Sequence, residues 1–159
     1  MAKRSTRPAR SRRPVKRGAP ARAIRYIESS ALLAALLERD AAARKALRAP
    51  GGRVTSALTL AEAARAIVRA RVSGRLTPTQ GRAAIQALRV FARRCYVVAV
   101  TDPVLARAGQ PFPIEPIRTL DAVHLATAEL LGEPPQLVTI VTRDRRVKEN
   151  AEVLGYSVE

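Results

Sequence analysis

From about residue 23 onward, short apolar runs of the sequence alternate with longer stretches of helical periodicity. The runs have the length and the β-branched or aromatic residues typical of strands, and they lie at 23–27, 53–57, 95–100, 137–141 and 156–158. The stretches between them predict helices at 31–47 with a break near Asp40, 59–72, 77–94, from Asp102-Pro103 onward, 119–131 and 144–154. Continuously apolar strands joined by helices are typical of βαβ units. The pattern therefore predicts an α/β protein, a three-layer α/β/α domain with a central parallel sheet.

Four acidic residues fall where this sheet would bind a ligand, beyond the carboxyl ends of the strands. Glu28 and Asp144 follow the first and fourth strands, and Glu62 and Asp121 lie in the first turns of the helices predicted at 59 and 119. Four converging carboxylates would repel one another unless divalent cations lay between them. Mg²⁺ and Mn²⁺ prefer oxygen ligands, so the acids predict a metal site capable of phosphodiester hydrolysis.

Each acid also has a purely structural interpretation. Glu62 completes a capping box with Thr59, and Asp144 is placed to cap the last helix. The dipole of a helix would stabilise Asp121 in its first turn, and Glu28 could pair with one of the many arginines. The location of all four at one end of the predicted sheet favours the metal site.

The charge of the chain indicates a polyanionic partner. The 29 Lys and Arg residues outnumber the 13 acids, giving a net charge of +16, and residues 1–25 hold ten of the basic residues and no acid. Nucleic acid is the first candidate partner, and an anionic membrane surface is the second. Residues 1–23 are predicted to form a disordered basic arm before a folded domain at 24–159. The prolines of this arm argue against the amphipathic helix of an organellar transit peptide.

Other features of the sequence exclude several classes of protein. Cys95 is the one cysteine, which excludes an internal disulfide and predicts a core residue. No apolar run approaches the length of a membrane span and no secretory signal is present, so we expect a cytoplasmic protein without a membrane partner. Gly51-Gly52 lacks the Lys that follows in a P-loop, which argues against an NTPase.

Four blocks of the sequence resemble the conserved blocks of PIN-domain proteins. They cover residues 26–32, 54–62, 118–128 and 141–144 followed by 155–158. The most specific block reads Leu120-Asp121-Ala122-Val123-His124-Leu125-Ala126. The resemblance spans residues 25–158 and is strongest to the VapC type, the toxin ribonucleases of toxin–antitoxin pairs.

This resemblance implies a PIN-like fold, a Mg²⁺- or Mn²⁺-dependent endoribonuclease site, a cognate antitoxin protein that covers this site, and a homodimer. The acidic positions of the family match Glu28, Glu62, Asp121 and Asp144. The family usually has Asp at the first position, and Glu28 is longer by one methylene, ~1.5 Å. The basic arm is a second departure, since these proteins usually begin close to the first strand.

The neighbours of the four acids suggest further roles. Ser30 and Thr142 match hydroxyl positions of the family, and His124, one turn after Asp121, could hydrogen-bond to a ligating acid or could simply be a packed residue. Candidate contacts to RNA phosphates are the arginines beside the acids, namely Arg65, Arg118, Arg143, Arg145 and Arg146. For Arg65, at i+3 from Glu62, a solvated ion pair is the alternative.

The sequence therefore predicts a metal-dependent endoribonuclease of the toxin class with two alternatives. The first is a PIN-fold RNA-binding or regulatory protein with impaired catalysis, and it would explain both Glu28 and the basic arm. The second is a basic packaging protein for nucleic acid, which would explain the arm but not the four acids.

Overall fold

Five parallel strands form the central sheet of the protein, as the sequence predicts. The computed structural model describes residues 23–159. The strands are Ile24–Ile27 (β1), Gly52–Ser56 (β2), Tyr96–Val98 (β3), Val138–Val141 (β4) and Ser157–Val158 (β5). Their order in the sheet is β3-β2-β1-β4-β5. The prediction of a basic arm at 1–23 falls almost wholly outside the described residues.

Two layers of helices cover the sheet and confirm the three-layer α/β/α architecture. The helices are Ser29–Leu36 (α1), Ala41–Arg48 (α2), Ala57–Val72 (α3), Pro78–Ala92 (α4), Asp102–Ala108 (α5), Thr119–Glu129 (α6) and Arg145–Val153 (α7), with a 3₁₀ turn at Pro135–Leu137. Helices α1 to α4 bury their apolar residues against Ile27 and Val141 on one face of the sheet. Helices α5 to α7 pack against Tyr26 and Ile140 on the other face.

The chain moves from one face of the sheet to the other between α4 and α5. The strand order therefore has a topological switch point between β1 and β4. These two strands are neighbours, with Ile27 in register with Val141, although most of the chain separates them. The backbone N–H of Glu28 donates to the carbonyl of Val141 at 3.0 Å, which extends the pairing one step beyond the strands. The residues that follow β1 and β4 therefore meet at the point where open α/β sheets bind ligands.

Side-chain caps set the starts of five of the seven described α-helices, and the observed starts correct two predicted boundaries. The break predicted near Asp40 is confirmed, because Asp40 caps α2 by accepting from the N–H of Ala43 at 2.7 Å. The capping box predicted for Thr59 and Glu62 is wrong. Ser56 caps α3 instead, so the helix begins at Ala57 and Glu62 lies in its second turn. Asp102 before Pro103 is predicted as the N-cap of the next helix, but it is the first residue of α5, and Thr101 is the N-cap.

The apolar run at 95–100 is not the buried strand that the sequence predicts. Only Tyr96–Val98 pair with β2, at the edge of the sheet, and the side chain of Tyr96 is 72% exposed. Cys95 precedes this strand and is half-buried rather than part of the core. Its partial burial still raises the pKa of the thiol to about 11. An edge strand has one neighbouring strand, so an apolar run at the edge is not enclosed from both sides.

Within residues 23–159, none of the helices combines the length and the apolar character that crossing a membrane requires.

Candidate active site

Glu28 lies directly after β1 and is one of the most buried polar residues of the described chain. It is the N-cap of α1, and its Oε2 accepts from the backbone N–H of Ser30 at 3.0 Å. The hydroxyls of Ser30 and Thr142 also donate to Oε2, the latter at 2.9 Å, while the hydroxyl of Ser29 donates to Oε1 at 2.5 Å. Oε2 is therefore saturated, and Oε1 keeps lone-pair capacity for another ligand.

The same hydroxyls connect the end of β1 to the loop after β4. Ser30 Oγ accepts from the backbone N–H of Arg143 at 2.7 Å, and Thr142 Oγ1 accepts from the backbone N–H of Asp144 at 3.0 Å. The two hydroxyls thus donate to one carboxylate and accept from the backbone of the opposite loop. This network fixes where Asp144 stands relative to Glu28.

Asp144 caps α7, as its structural interpretation predicts. Its Oδ1 accepts from the backbone N–H groups of Arg146 and Val147, at 2.8 and 3.3 Å. Both capping bonds use the same oxygen, so capping leaves Oδ2 available. A role as helix cap and a role as cation ligand are therefore compatible for this residue.

Asp121 enters from the first turn of α6 with an unsatisfied oxygen. Its Oδ2 is buried and has no hydrogen-bond partner among the described residues. Burial raises the pKa of the Asp121 carboxyl, and the negative charges of Asp144 and Glu28 raise it further. Asp121, Asp144 and Glu28 therefore form a cluster of like charges, and a cation bound among them would reduce their mutual repulsion.

Glu62 reaches the site from α3 and pairs with His124 of α6. His124 Nε2 lies 2.7 Å from Glu62 Oε2 and 3.7 Å from Glu28 Oε1. Partial burial alone would raise the pKa of Glu62, but the hydrogen bond with His124 brings the pKa below its usual range. One ligand atom from each of Glu28, Glu62 and His124 lies within 4.8 Å of the other two. Among the described residues, Asp121 and Asp144 stand outside this tighter group.

Tyr26 contacts the His124 ring at Nδ1, the nitrogen that does not meet Glu62, and it was not singled out from the sequence. Its hydroxyl lies 3.1 Å from His124 Nδ1, and both side chains are 1% exposed. Burial raises the pKa of Tyr26 well above its usual range, so it stays a neutral phenol. One signal was available, because Tyr26 precedes Glu28 by two residues and alternate residues of a strand face the same side.

All five arginines predicted to contact RNA are exposed: Arg65, Arg118, Arg143, Arg145 and Arg146. Arg118 is the N-cap residue of α6, and its charge acts against the raised pKa of Asp121. Arg143 reaches toward Asp40, at 3.8 Å, and Arg145 pairs with Glu149 at 3.6 Å. Such exposed pairs are weak and leave the guanidinium groups available to phosphates.

Comparison with known proteins agrees with the predicted fold and family. The family description "PIN domain" matches residues 25–153. Ribonuclease VapC46 of Mycobacterium tuberculosis is 38% identical over 135 residues, which cover 84% of this chain and 94% of the relative. Ribonuclease VapC35 of the same species is 35% identical over 141 residues, covering 84% and 93%.

Solved structures share the architecture at lower identity. A VapBC2 structure from Rickettsia felis, bound to a DNA fragment from its promoter, has a TM-score of 0.58 at 12% identity and covers 86% of this chain and 97% of the matched chain. VapBC-1 from nontypeable Haemophilus influenzae has a TM-score of 0.55 at 13% identity, covering 86% and 96%. At these identities the likeness concerns the fold alone.

The PIN-domain match covers most of the chain, from β1 through β4 of the parallel sheet, and the chain belongs to the PIN-domain family. Within this family it is a protein of the VapC type, as the identity to two VapC ribonucleases over most of the chain shows.

Proposed function

We propose that this protein is a Mg²⁺- or Mn²⁺-dependent endoribonuclease and the toxin of a type II toxin–antitoxin pair. The observation that carries the proposal is the buried Oδ2 of Asp121, which has no hydrogen-bond partner among residues 23–159, in a carboxyl whose pKa is raised by burial and by the charges of Asp144 and Glu28. The identity to VapC ribonucleases supports RNA as the substrate. A toxin that cleaves RNA of its own cell would act in the cytoplasm, which is the location we propose.

The residues present fit a divalent cation. Within the described part of the chain Asp121 Oδ2 is unpaired, Asp144 uses one oxygen as a cap, and Glu28 Oε1 keeps lone-pair capacity. These are hard oxygen donors that suit Mg²⁺ or Mn²⁺, and Glu62 would contribute directly or through a water. A cation bound there would supply an activated water and would neutralise negative charge on the scissile phosphate.

The other residues of the site would either position the acids or bind the RNA. Ser30 and Thr142 hold Glu28 and the loop of Asp144 in one arrangement. A misplacement of these acids by ~1 Å would lower the rate of cleavage by ~100-fold. The exposed guanidinium groups beside the site would bind phosphates of the RNA, namely those of Arg65, Arg118, Arg143, Arg145 and Arg146. His124 would act through the acids rather than on the RNA.

A cognate antitoxin and a second copy of the chain are the proposed protein partners. Structural relatives include a toxin–antitoxin complex from Klebsiella pneumoniae, with a TM-score of 0.51 at 20% identity over 75% of this chain and 85% of the matched chain, which supports an antitoxin. The homodimer rests on the resemblance to the VapC type. Neither partner requires a membrane.

The second candidate function is an RNA-binding protein with impaired catalysis. The observation in its favour is that Glu28, already longer than the usual Asp, accepts hydrogen bonds from Ser29, Ser30 and Thr142 and is thus partly occupied. A site of this kind would bind RNA through its arginines but would cleave it slowly or not at all.

Incubation of purified protein with total cellular RNA and Mn²⁺ or Mg²⁺ tests the proposal. We expect discrete products that disappear with EDTA and with Asp121→Asn. Asp102→Asn is the matched control, since Asp102 is an exposed acid in the first turn of α5. Bound RNA without products under every metal condition would favour the second candidate. Equal cleavage by Asp121→Asn and wild type would contradict the proposed site.

A further inference from the structure

We infer that Tyr26 and His124 form a buried positioning pair that holds the Glu62 carboxylate in place, so that Glu62 serves the reaction without ligating the metal ion directly. The inference rests on the proposed function and deepens it, because it divides the four acids into two groups. Glu28, Asp121 and Asp144 would carry the cation, whereas Glu62 would be a partner of His124.

The hydrogen-bond chemistry of His124 is the first argument. A carboxylate can only accept, so the nitrogen 2.7 Å from Glu62 Oε2 carries the proton, and this nitrogen is Nε2. A protonated ring nitrogen has no lone pair for a metal ion. In the neutral ring Nδ1 is then an acceptor, and the Tyr26 hydroxyl 3.1 Å away is its donor.

The rigidity of the pair is the second argument. Tyr26 is anchored in the central strand β1 and His124 in α6, and the two rings meet edge to face with centroids 6.3 Å apart. Because β1 also leads directly to Glu28, the same strand positions one acid and supports the orientation of another.

The distribution of charge is the third argument. The buried Oδ2 of Asp121 has no hydrogen-bond partner among residues 23–159, so no donor there compensates its negative charge. Glu62, in contrast, already has a hydrogen-bond donor at short distance. A cation is therefore needed where Asp121 lies and is less needed at Glu62.

Kinetic variants give the main test. Tyr26→Phe removes only the hydroxyl, and we expect kcat to fall ~10-fold while KM for RNA stays unchanged, as is typical for the loss of an orienting partner. His124→Leu should cost ~100-fold, and His124→Gln, which keeps an N–H donor, should recover part of this loss. Tyr156→Phe is the matched control, because Tyr156 is buried just before β5 and the charges that act on it are Glu129 and Arg107 rather than the four acids of the site.

A double-mutant cycle separates positioning from simple packing. If Tyr26 acts through His124 on Glu62, Tyr26→Phe should have no further effect on kcat in the His124→Leu or Glu62→Gln background. Additive losses of kcat, or a lower melting temperature with unchanged kcat, would overturn the inference and leave Tyr26 and His124 as core residues only.

Calorimetric titration with Mn²⁺ tests whether Glu62 and His124 are ligands. Wild type, Glu62→Gln and His124→Leu should bind Mn²⁺ within about threefold of one another, and Asp121→Asn should bind more than ~10-fold more weakly. Equal losses in all three variants would make Glu62 and His124 metal ligands and overturn the inference. Wild type without Mn²⁺ binding or RNA cleavage would contradict the proposed function instead.

A spectroscopic test does not depend on catalysis. His124 is the only histidine in the chain, so the ¹⁵N resonances of one imidazole report its protonation directly. We expect a protonated Nε2 in wild type and a changed Nδ1 shift in Tyr26→Phe. A bare Nε2 in wild type would overturn the inference, whatever the nuclease assays show.

Discussion

The hydroxyls around Glu28 explain how a longer acid fits a position where PIN proteins usually have Asp. Ser29, Ser30 and Thr142 all donate to its carboxylate, and the extra methylene brings the oxygens to them. The hydroxyls of Ser30 and Thr142 could be predicted from the family resemblance. Their mutual geometry could not, because it depends on the contact between β1 and β4 across more than a hundred residues.

The fit of Glu28 leads to the first prediction. Glu28→Asp should lower the rate of RNA cleavage by ~10-fold or more, because the shorter carboxylate would retract from Thr142 and from the cation site. The measurement is the single-turnover cleavage rate with Mn²⁺, with Glu28→Gln as the variant that keeps the length and loses the charge. A large gain in rate would instead show that Glu28 impairs the site and would support the RNA-binding alternative.

The raised pKa of Asp121 gives a prediction for stability. Its pKa in the folded protein lies above the unfolded value, so its contribution to stability is fully present below the unfolded pKa and is lost as pH rises through the folded pKa. Asp121→Asn removes this charge. In the absence of metal, the variant should therefore melt at a higher temperature than wild type at pH 7, and the difference should shrink at low pH.

Added Mn²⁺ supplies the control for this prediction. A cation bound by Asp121 should raise the melting temperature of wild type and leave that of Asp121→Asn nearly unchanged. If both proteins melt together at pH 7 with and without Mn²⁺, the proposed role of Asp121 in a charged cluster is wrong.

At the scale of elements, local patterns predicted where strands and helices lie better than how they begin. Thr59 and Glu62 match a capping box in spacing, yet Ser56 caps α3 and Glu62 turns to His124. The Glu62–His124 contact joins α3 to α6 across the fold, and no local pattern encodes it. The exposure of β3 could not be predicted for the same reason, since the order of the strands, not their composition, decides which strand is at the edge.

The connection between α2 and β2 gives a prediction at this scale. Gly51 has φ of +135°, and a Cβ there would lie 2.7 Å from the carbonyl oxygen of Ala23. Gly51→Ala should therefore lower the free energy of unfolding by more than ~1 kcal/mol, measured by chemical denaturation. Gly52→Ala is the matched control, since nothing lies within 4 Å of its Cβ position. Equal stabilities of the two variants would contradict the strain at Gly51.

At the scale of the molecule, the apolar pattern was sufficient for the α/β/α fold class and for the end of the sheet where acids gather. The relative positions of the acids within this site followed only from the packing of α3 and α6 on opposite faces of the sheet. Arg25 shows the same limit. By sequence it continues the basic N-terminal segment, but it is buried in β1, where it pairs with Glu159 and donates to the carbonyl of Ala46 at 3.1 Å.

The charge of the whole chain predicts how RNA binding depends on the N-terminal segment. Residues 1–23 carry nine Lys and Arg residues and no acid. Removing them should weaken RNA binding and flatten its dependence on salt, because fewer counterions are released, while metal-dependent cleavage continues. The measurement is RNA affinity across a series of salt concentrations. Complete loss of binding would favour a packaging protein whose arm is its binding element.

The most direct test of the metal-dependent nuclease is the return of activity to metal-free protein. Protein stripped with EDTA would be given Mn²⁺ in steps, and the cleavage rate of one RNA would be followed for wild type and Asp121→Asn. We expect no cleavage without metal, a saturable return of activity in wild type, and none in the variant. Cleavage by the stripped protein, or equal rates for the two proteins, would contradict hydrolysis at Glu28, Asp121 and Asp144.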